Sequence, residues 1–185
     1  MERLLASLDT APIIDKGGYH YLVHPISNGV PALEPALLRE VTVEVIRAID
    51  TSVDKIVAPE AMGIHLATAL SLETDIPLVV IRKRAYGLED ERHLSKSTGY
   101  SDSEMYINDI QPDDRVVIVD DLLSTGGTLA AICDSLDDIG CEIADIVVVF
   151  RKVDSDSALD GAPYDVTSLV DISVDATGVT VEDSV

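Results

Sequence analysis

Two adjacent carboxylates, Asp120 and Asp121, end an apolar run and stand directly before a turn of small residues. The run, residues 116–119, is typical of a buried parallel strand, and a helix is predicted from about residue 127 to residue 139. The turn, residues 124–128, reads Ser-Thr-Gly-Gly-Thr. Its backbone N–H groups can therefore close on a phosphate at a helix N-terminus. Carboxylates beside it can accept hydrogen bonds from hydroxyls or help to hold Mg2+. The pattern predicts a ligand that carries both a phosphate and a diol, such as a ribose 5-phosphate group.

Other motifs with a phosphate loop or an aspartate pair fit this segment less well. A Walker A loop needs a lysine after its last glycine, whereas Gly127 is followed by Thr128. A dinucleotide fingerprint needs G-x-G-x-x-G, which the segment lacks. Receiver domains also have an apolar strand that ends in two aspartates, but near their start and without a phosphate loop behind it. An ordinary strand, turn and helix is the plain alternative.

The same segment resembles the PRPP-binding motif of the type I phosphoribosyltransferases over its whole length. In that family a hydrophobic strand, two acidic residues and a small T-G-rich loop bind 5-phosphoribosyl pyrophosphate. The resemblance implies that Asp120 and Asp121 are the catalytic residues that hold the ribose hydroxyls, directly or through Mg2+. It also implies a set of residues for the 5'-phosphate, namely Ser124, Thr125, Gly126, Gly127 and Thr128.

Composition narrows the class of protein. The 185 residues fit one domain, and 46% hydrophobic content is typical of a globular chain. Acidic residues number 34 and basic residues 13, a net charge of -21 that looks like a halophile's cytosolic protein. Without a basic stripe, nucleic-acid binding is disfavoured. The sequence shows no signal peptide and no long apolar run, so we expect a cytoplasmic protein that does not enter a membrane.

Positive charge is concentrated in one place, at Arg82, Lys83 and Arg84, with Arg92 and Lys96 nearby. A polyanion such as pyrophosphate needs such a cluster, although a solvated charged loop is the alternative. The triplet resembles the start of the flexible lid in adenine-type and archaeal purine phosphoribosyltransferases. The resemblance implies a lid over roughly residues 82–108. It also offers Glu104 as an acid or base, although the spacing differs from the family's.

A second anion site is predicted where a strand, residues 55–58, leads into a helix, residues 61–72. Its small residues resemble the pyrophosphate loop of the same family, which often contains a cis peptide bond that does not involve proline. A plain strand-to-helix turn is the alternative. The pyrophosphate-binding residues implied by the two segments are Glu60, Ala61, Met62, Gly63, Arg82, Lys83 and Arg84.

The N-terminal segment, roughly residues 11–32, resembles the hood that covers the base in adenine-like enzymes. It implies base contacts from Tyr21 and His24, and Leu123 is expected to be a third base contact; a small β-subdomain without chemistry is the alternative. One departure concerns Ser124, because hypoxanthine-guanine enzymes of bacteria and eukaryotes have an aspartate there that serves as a base. Ser124 cannot serve as that base at neutral pH.

The elements that must position these residues alternate between strand and helix. Further helices are predicted over residues 1–8 and 34–49, further strands over 76–81 and 146–150, and one or two short strands in the tail. This alternation predicts an α/β fold with a mainly parallel sheet, the type I phosphoribosyltransferase fold by resemblance. Residues 86–108 look like a long polar loop with a strand only at 105–107. Cys133 and Cys141 are predicted to be reduced core residues.

Together these features predict a Mg2+-dependent purine phosphoribosyltransferase of nucleotide salvage, with PRPP and a purine base as its ligands. The archaeal branch implies hypoxanthine or guanine first, and adenine second. The family usually forms homodimers. A PRPP-sensing regulator of the same fold, an enzyme with another acceptor such as a pyrimidine or xanthine, and an inactive family member remain as alternatives.

Overall fold

The computed structural model describes residues 1–94, 104–154 and 156–185. Five helices and ten strands are found there. In chain order they are α1 Glu2–Leu8, β1 Ile13–Lys16, β2 Tyr19–Leu22, α2 Pro25–Asn28, α3 Pro35–Ala48, β3 Lys55–Pro59, α4 Gly63–Thr74, β4 Leu78–Ile81, β5 Arg92–Leu94, β6 Met105–Ile107, β7 Arg115–Leu123, α5 Gly127–Ile139, β8 Glu142–Lys152, β9 Val166–Asp175 and β10 Gly178–Ser184.

A six-stranded sheet forms the centre, in the order β10-β9-β8-β7-β3-β4. All neighbouring strands in it are parallel except β9 and β10, which pair in antiparallel fashion. Two small antiparallel pairs stand outside it, β1 with β2 and β5 with β6. The predicted α/β fold with a mainly parallel sheet is therefore confirmed.

Helices cover both faces of the sheet at its centre, which explains why the middle of β7 is apolar on both sides. Successive side chains of a strand point to opposite faces. Val117 and Val119 accordingly pack in a cluster with α1, α3 and α4, while Val116 and Ile118 pack in a second cluster with α5. All four side chains are at most 1% exposed. A strand buried on both sides reads as an unbroken apolar run, as residues 116–119 do.

Several elements differ from the prediction. Strand β7 does not end before the aspartate pair but runs on to Leu123, because β8 is long enough to pair with it as far as Arg151. Helix α4 begins at Gly63 instead of residue 61. The tail strands β9 and β10 are longer than predicted. Helix α2 and strand β5, with four and three residues, were not predicted at all.

The two cysteines agree with the prediction, since both are free and buried. Burial raises the pKa of the Cys133 thiol to about 12, so the thiolate is scarce at neutral pH. Among the described residues, no helix combines the length and the apolar character that crossing a membrane requires.

Candidate functional site

Three of the predicted segments meet at the carboxyl edge of the sheet. Strands β4, β3 and β7 are neighbours and run in the same direction. Their carboxyl ends therefore bring Arg82, Glu60 and the aspartate pair to one edge. In open parallel sheets this edge is where ligands bind.

The aspartate pair is half-buried within the last residues of β7. The backbone N–H of Asp121 donates to Oδ1 of Asp120 at 2.9 Å. Burial and the neighbouring charge of Asp121 raise the pKa of Asp120 well above its usual range, while the positive charge of Lys83 acts the other way. Burial also raises the pKa of Asp121. Two carboxylates held this close favour a cation or hydroxyl donors between them.

The carboxylate oxygens of Asp120 and Asp121 fit a magnesium ion as part of its ligand set. Within residues 1–94, 104–154 and 156–185, no group of three or more His, Cys, Asp or Glu side chains could hold a metal ion. The described chain thus offers the two carboxylates Asp120 and Asp121 at this edge. Mg2+ commonly takes one or two carboxylates and completes its six ligands with water and substrate phosphates, so the donor set matches.

The predicted phosphate loop lies between β7 and α5, and a second loop supports it from behind. Gly126 has φ +72, a left-handed conformation that favours glycine. A Cβ atom at this position would collide with Oγ of Ser157 and approach the backbone nitrogen of Ala158 to 3.2 Å. The carbonyl of Thr125 accepts from that same nitrogen at 2.8 Å. Ser124 precedes Gly126 in this turn, and Gly127 and Thr128 are the first two residues of α5. The first backbone N–H groups of a helix have no partner within the helix and can bind a ligand.

The predicted pyrophosphate loop joins β3 to α4. The peptide bond between Glu60 and Ala61 is cis and does not involve proline. Met62 precedes α4, and Gly63, the first residue of the helix, is buried. A Cβ atom on Gly63 would lie 3.0 Å from the carbonyl oxygen of Val119, so a larger residue here would push α4 away from β7 by a few tenths of an ångström.

The basic triplet is tied to this loop through Glu60. Oε2 of Glu60 pairs with Nε of Arg82 at 2.8 Å, and its Oε1 accepts from the backbone N–H of Lys83 at 2.7 Å. The side chain of Lys83 is exposed and its charge reaches Asp120. Arg84 is exposed and lies over the ring of Tyr86, 5.3 Å from its centroid. Two of the three cations therefore face the same edge as the aspartates.

The predicted lid lies partly outside the description, since residues 95–103 are not described. Glu104 is exposed and accepts from the hydroxyl of Tyr106 at 2.8 Å. No described contact brings Glu104 to the aspartate pair. Its role as an acid or base stays a prediction.

The hood residues have different surroundings from one another. His24 is fully buried: its Nδ1 accepts from the backbone N–H of Ile26 at 3.2 Å, which leaves the hydrogen on Nε2 for Ser7, whose Oγ is 2.8 Å away. Its ring meets Phe150 edge to face, 4.9 Å between centroids. Burial lowers the pKa of His24 to about 4. In this structure the ring of His24 offers no surface to a base, and its contacts hold α2 in place.

Tyr21 is half-buried, and its hydroxyl accepts from the side-chain amide of Asn28 at 2.8 Å. Lys16 lies over the same ring, 4.3 Å from its centroid. The aromatic residue of the hood that reaches the end of β8 is Tyr19 instead. The ammonium of Lys152 lies 4.5 Å from the Tyr19 ring centroid and 3.4 Å from its hydroxyl.

A cleft of about 640 Å3 lies beyond the end of β8, beside the phosphate loop. Leu123, one of the predicted base contacts, lines it, but the other lining residues were not singled out from the sequence. They are Arg151, Lys152, Val153, Asp154, Asp156, Ser157 and Asp160. The sequence did hold one signal for them, since Arg151 and Lys152 are adjacent basic residues at the end of an apolar strand in an acidic chain.

Comparison with known proteins agrees with this arrangement. Residues 32–184 match the family model described as phosphoribosyl transferase domain. The chain is 73% identical over 183 residues to HGPRTase-like protein 1 of Haloarcula marismortui, covering 99% of this chain and all of that protein. It is 70% identical over 179 residues to HGPRTase-like protein 2 of Haloferax volcanii, covering 97% and 98%.

The fold is also similar to solved structures. The adenine phosphoribosyltransferase from Thermoanaerobacter pseudethanolicus superposes with a TM-score of 0.76 at 24% identity, covering 91% of this chain and 99% of that one. The Trypanosoma brucei adenine phosphoribosyl transferase in complex with AMP, pyrophosphate and ribose-5-phosphate gives 0.72 at 15% identity, covering 91% and 79%. At these identities the likeness concerns the fold alone.

Proposed function

Since the chain belongs to the phosphoribosyltransferase family, we propose that it transfers the 5-phosphoribosyl group of PRPP to a free purine base. The family consists of glycosyltransferases that move a pentosyl group. In the proposed reaction a ring nitrogen of the base bonds to C1 of the ribose and loses its proton to pyrophosphate or solvent, while the bond from C1 to the pyrophosphate oxygen breaks. The products are a nucleoside monophosphate and pyrophosphate.

The observation that carries this proposal is the aspartate pair directly before the phosphate loop, at the same sheet edge as the cations. Asp120 and Asp121 accept from the ribose hydroxyls, and their charge favours the positive charge that develops on the sugar ring. Backbone N–H groups and hydroxyls of residues 124–128 bind the 5'-phosphate, where the dipole of α5 favours its charge. The distance between the two groups is then fixed by the turn itself.

Pyrophosphate would be held by the second loop and the triplet beside it. Residues 60–63 present backbone groups at the start of α4, while Arg82 and Lys83 supply positive charge. Mg2+, when bound with PRPP, supplies further neutralisation of the leaving oxygens. Because Glu60 holds Arg82 and the backbone of Lys83, the cations are positioned before substrate arrives.

The test is a double variant, Asp120→Asn with Asp121→Asn. We expect the loss of about a thousandfold or more in turnover with PRPP and Mg2+, of the size seen when groups that stabilise transition-state charge are removed. Folding should be unaffected, because the change removes repulsion between buried carboxylates. The matched control is Asp134→Asn with Asp138→Asn, two exposed aspartates of α5. If the double variant at Asp120 and Asp121 kept nearly wild-type turnover, the catalytic role proposed for these two residues would be wrong.

For the base we propose a 6-oxopurine, hypoxanthine or guanine. Lys152 is only 8% exposed and lines the cleft beside Leu123. An ammonium group can only donate hydrogen bonds, so it matches a 6-oxo acceptor and leaves the 6-amino group of adenine without a partner. A site built around a donor rejects ligands that cannot accept from it. The curated relatives carry HGPRTase in their names, which agrees with this preference.

Lys152→Met tests the preference, because it keeps the length of the side chain and removes the donor. We expect KM for hypoxanthine to rise about tenfold, the effect of one hydrogen bond to a charged group, with KM for adenine nearly unchanged. Lys16→Met, a lysine of the hood, is the control. An equal rise in KM for hypoxanthine and for adenine would contradict the proposed role of Lys152 in base selection. Efficient use of adenine by the wild type would favour the adenine phosphoribosyltransferase alternative.

The charge of the chain and the source of its relatives bear on the conditions in which it acts. The net charge of -21 and relatives from Haloarcula and Haloferax favour a cytoplasmic enzyme adapted to high salt, where self-repulsion is screened. We further propose one catalytic domain over residues 1–185, with residues 11–32 as hood, that acts as a homodimer. Assays in molar KCl, with mass measured by light scattering, test both points.

A further inference from the structure

Helix α2 contains a residue that none of the roles above uses. Ser27 packs with α2 against β7 and is 9% exposed. Its Oγ is buried, yet it has no hydrogen-bond partner among the described residues. Buried hydroxyl groups are nearly always paired, so an unpaired one beside a ligand site requires an explanation.

Helix α2 packs against β7, the strand that carries Asp121. Burial raises the pKa of Asp121, and the hydroxyl of Ser27 acts to lower it. Their geometry nevertheless falls short of a hydrogen bond in this structure. Because α2 packs against β7, a small movement of either side chain would let the hydroxyl of Ser27 donate to this carboxylate.

Helix α2 is fixed at both ends, so Ser27 cannot move freely. His24 caps its first turn through Ile26, as described above, and Asn28 closes its last turn by accepting from the backbone N–H of His24 at 2.8 Å. Ile26, next to Ser27, is fully buried in the core. The remaining freedom lies with the carboxylate, which a bound ligand can turn.

We propose that Ser27 is a positioning residue for Asp121: its hydroxyl donates to this carboxylate once PRPP is bound and fixes the oxygen that faces the ribose. The inference rests on the proposed function of Asp121. It accounts for a hydroxyl that is buried, unpaired and held by a rigid four-residue helix. It also assigns a structural role to α2, since this helix links the hood to the aspartate pair.

The experiment is a double-mutant cycle on PRPP binding, with Ser27→Ala, Asp121→Asn and the two combined. The dissociation constant of PRPP is measured by calorimetry with Mg2+ in molar KCl, so that no variant needs to be active. We expect Ser27→Ala to weaken PRPP binding about tenfold in the wild type and less than about twofold in the Asp121→Asn background. Ser135→Ala, which removes a helix hydroxyl of α5 bonded to the Ala131 carbonyl, is the control.

Thermal unfolding separates positioning from packing. A hydroxyl without a partner contributes no hydrogen bond to the folded state, so Ser27→Ala should leave Tm unchanged or raised. A lowered Tm, or an equal loss of PRPP affinity with and without Asp121, would overturn the inference. A wild type that binds no PRPP would overturn the proposed function first. A wild type that binds PRPP as tightly as Ser27→Ala does would overturn the inference alone.

Discussion

The buried imidazole of His24 should make the stability of this protein depend on pH. Burial favours the neutral ring and lowers the pKa of His24 from 6.5 to about 4. Between these values the unfolded chain binds a proton that the folded chain does not. The stabilisation is therefore complete above pH 6.5 and is lost as the pH falls through about 4. Its full size is on the order of 3 kcal/mol, from a pKa lowered from 6.5 to about 4.

The contribution can be isolated with His24→Asn, since asparagine can still cap the backbone N–H of Ile26 but does not titrate. Urea unfolding of both proteins in molar KCl gives the free energy of unfolding from pH 7.5 down to the lowest pH at which both still fold. The cavity left beside Phe150 gives an offset that is independent of pH. We expect the difference between the two proteins to shrink as the pH falls, by up to about 3 kcal/mol. His93→Asn, at an exposed ring, is the control. A difference that stays constant would refute the buried neutral imidazole.

Three further predictions follow from single contacts. Gly126→Ala should weaken PRPP binding about tenfold, because the added methyl group collides with Ser157. The control is Gly140→Ala, which also has positive φ but no atom nearer than 3.8 Å to the added methyl group. It should strain the backbone and leave PRPP binding unchanged. Glu60→Gln should raise KM for pyrophosphate in the reverse reaction, since Arg82 loses its charged partner; unchanged KM would contradict the coupling of the two loops. Arg115→Met should lower the urea midpoint of unfolding only slightly, because the ion-pair partners of Arg115 are exposed, and the loss should decrease between 1 and 3 M KCl.

The regular elements could be predicted because their signal is local. The helix over residues 127–139 has its glycine turn before it and Gly140 after it, and the structure begins and ends the helix there. Strand β7 was harder, since the aspartates look like an end to an apolar run. Its continuation to Leu123 depends on pairing with β8, a contact far along the chain. Helix α2, with four residues, is too short to show periodicity and is set by its caps.

The residues of the candidate site also divide into those with a local sequence signal and those without one. The aspartate pair and the two loops could be proposed from the sequence because each is one contiguous segment whose spacing carries its chemistry. Lys152 and Ser27 were not found, because their surroundings come from other parts of the chain. Lys152 becomes part of a cleft only when β8 ends beside the phosphate loop and Tyr19 lies over it. Ser27 lies against β7 only because His24 and Asn28 hold α2 in place. No pattern in residues 25–28 contains that information.

The charges around the site explain how so acidic a chain can receive a polyanion. At molar salt the Debye length is about 3 Å, so neither the net charge of -21 nor a distant cation acts over any useful range. Attraction must come from groups in direct contact with the ligand. The site fits this condition, because backbone N–H groups at two helix starts do not depend on net charge. Its cations are also held in place by acids, Arg82 by Glu60 and Arg151 by Asp171. In concentrated salt, an acidic partner hardly reduces the long-range attraction between such a cation and the ligand, because that attraction is already screened. The partner does keep the cation at the edge of the sheet, where the phosphate must lie.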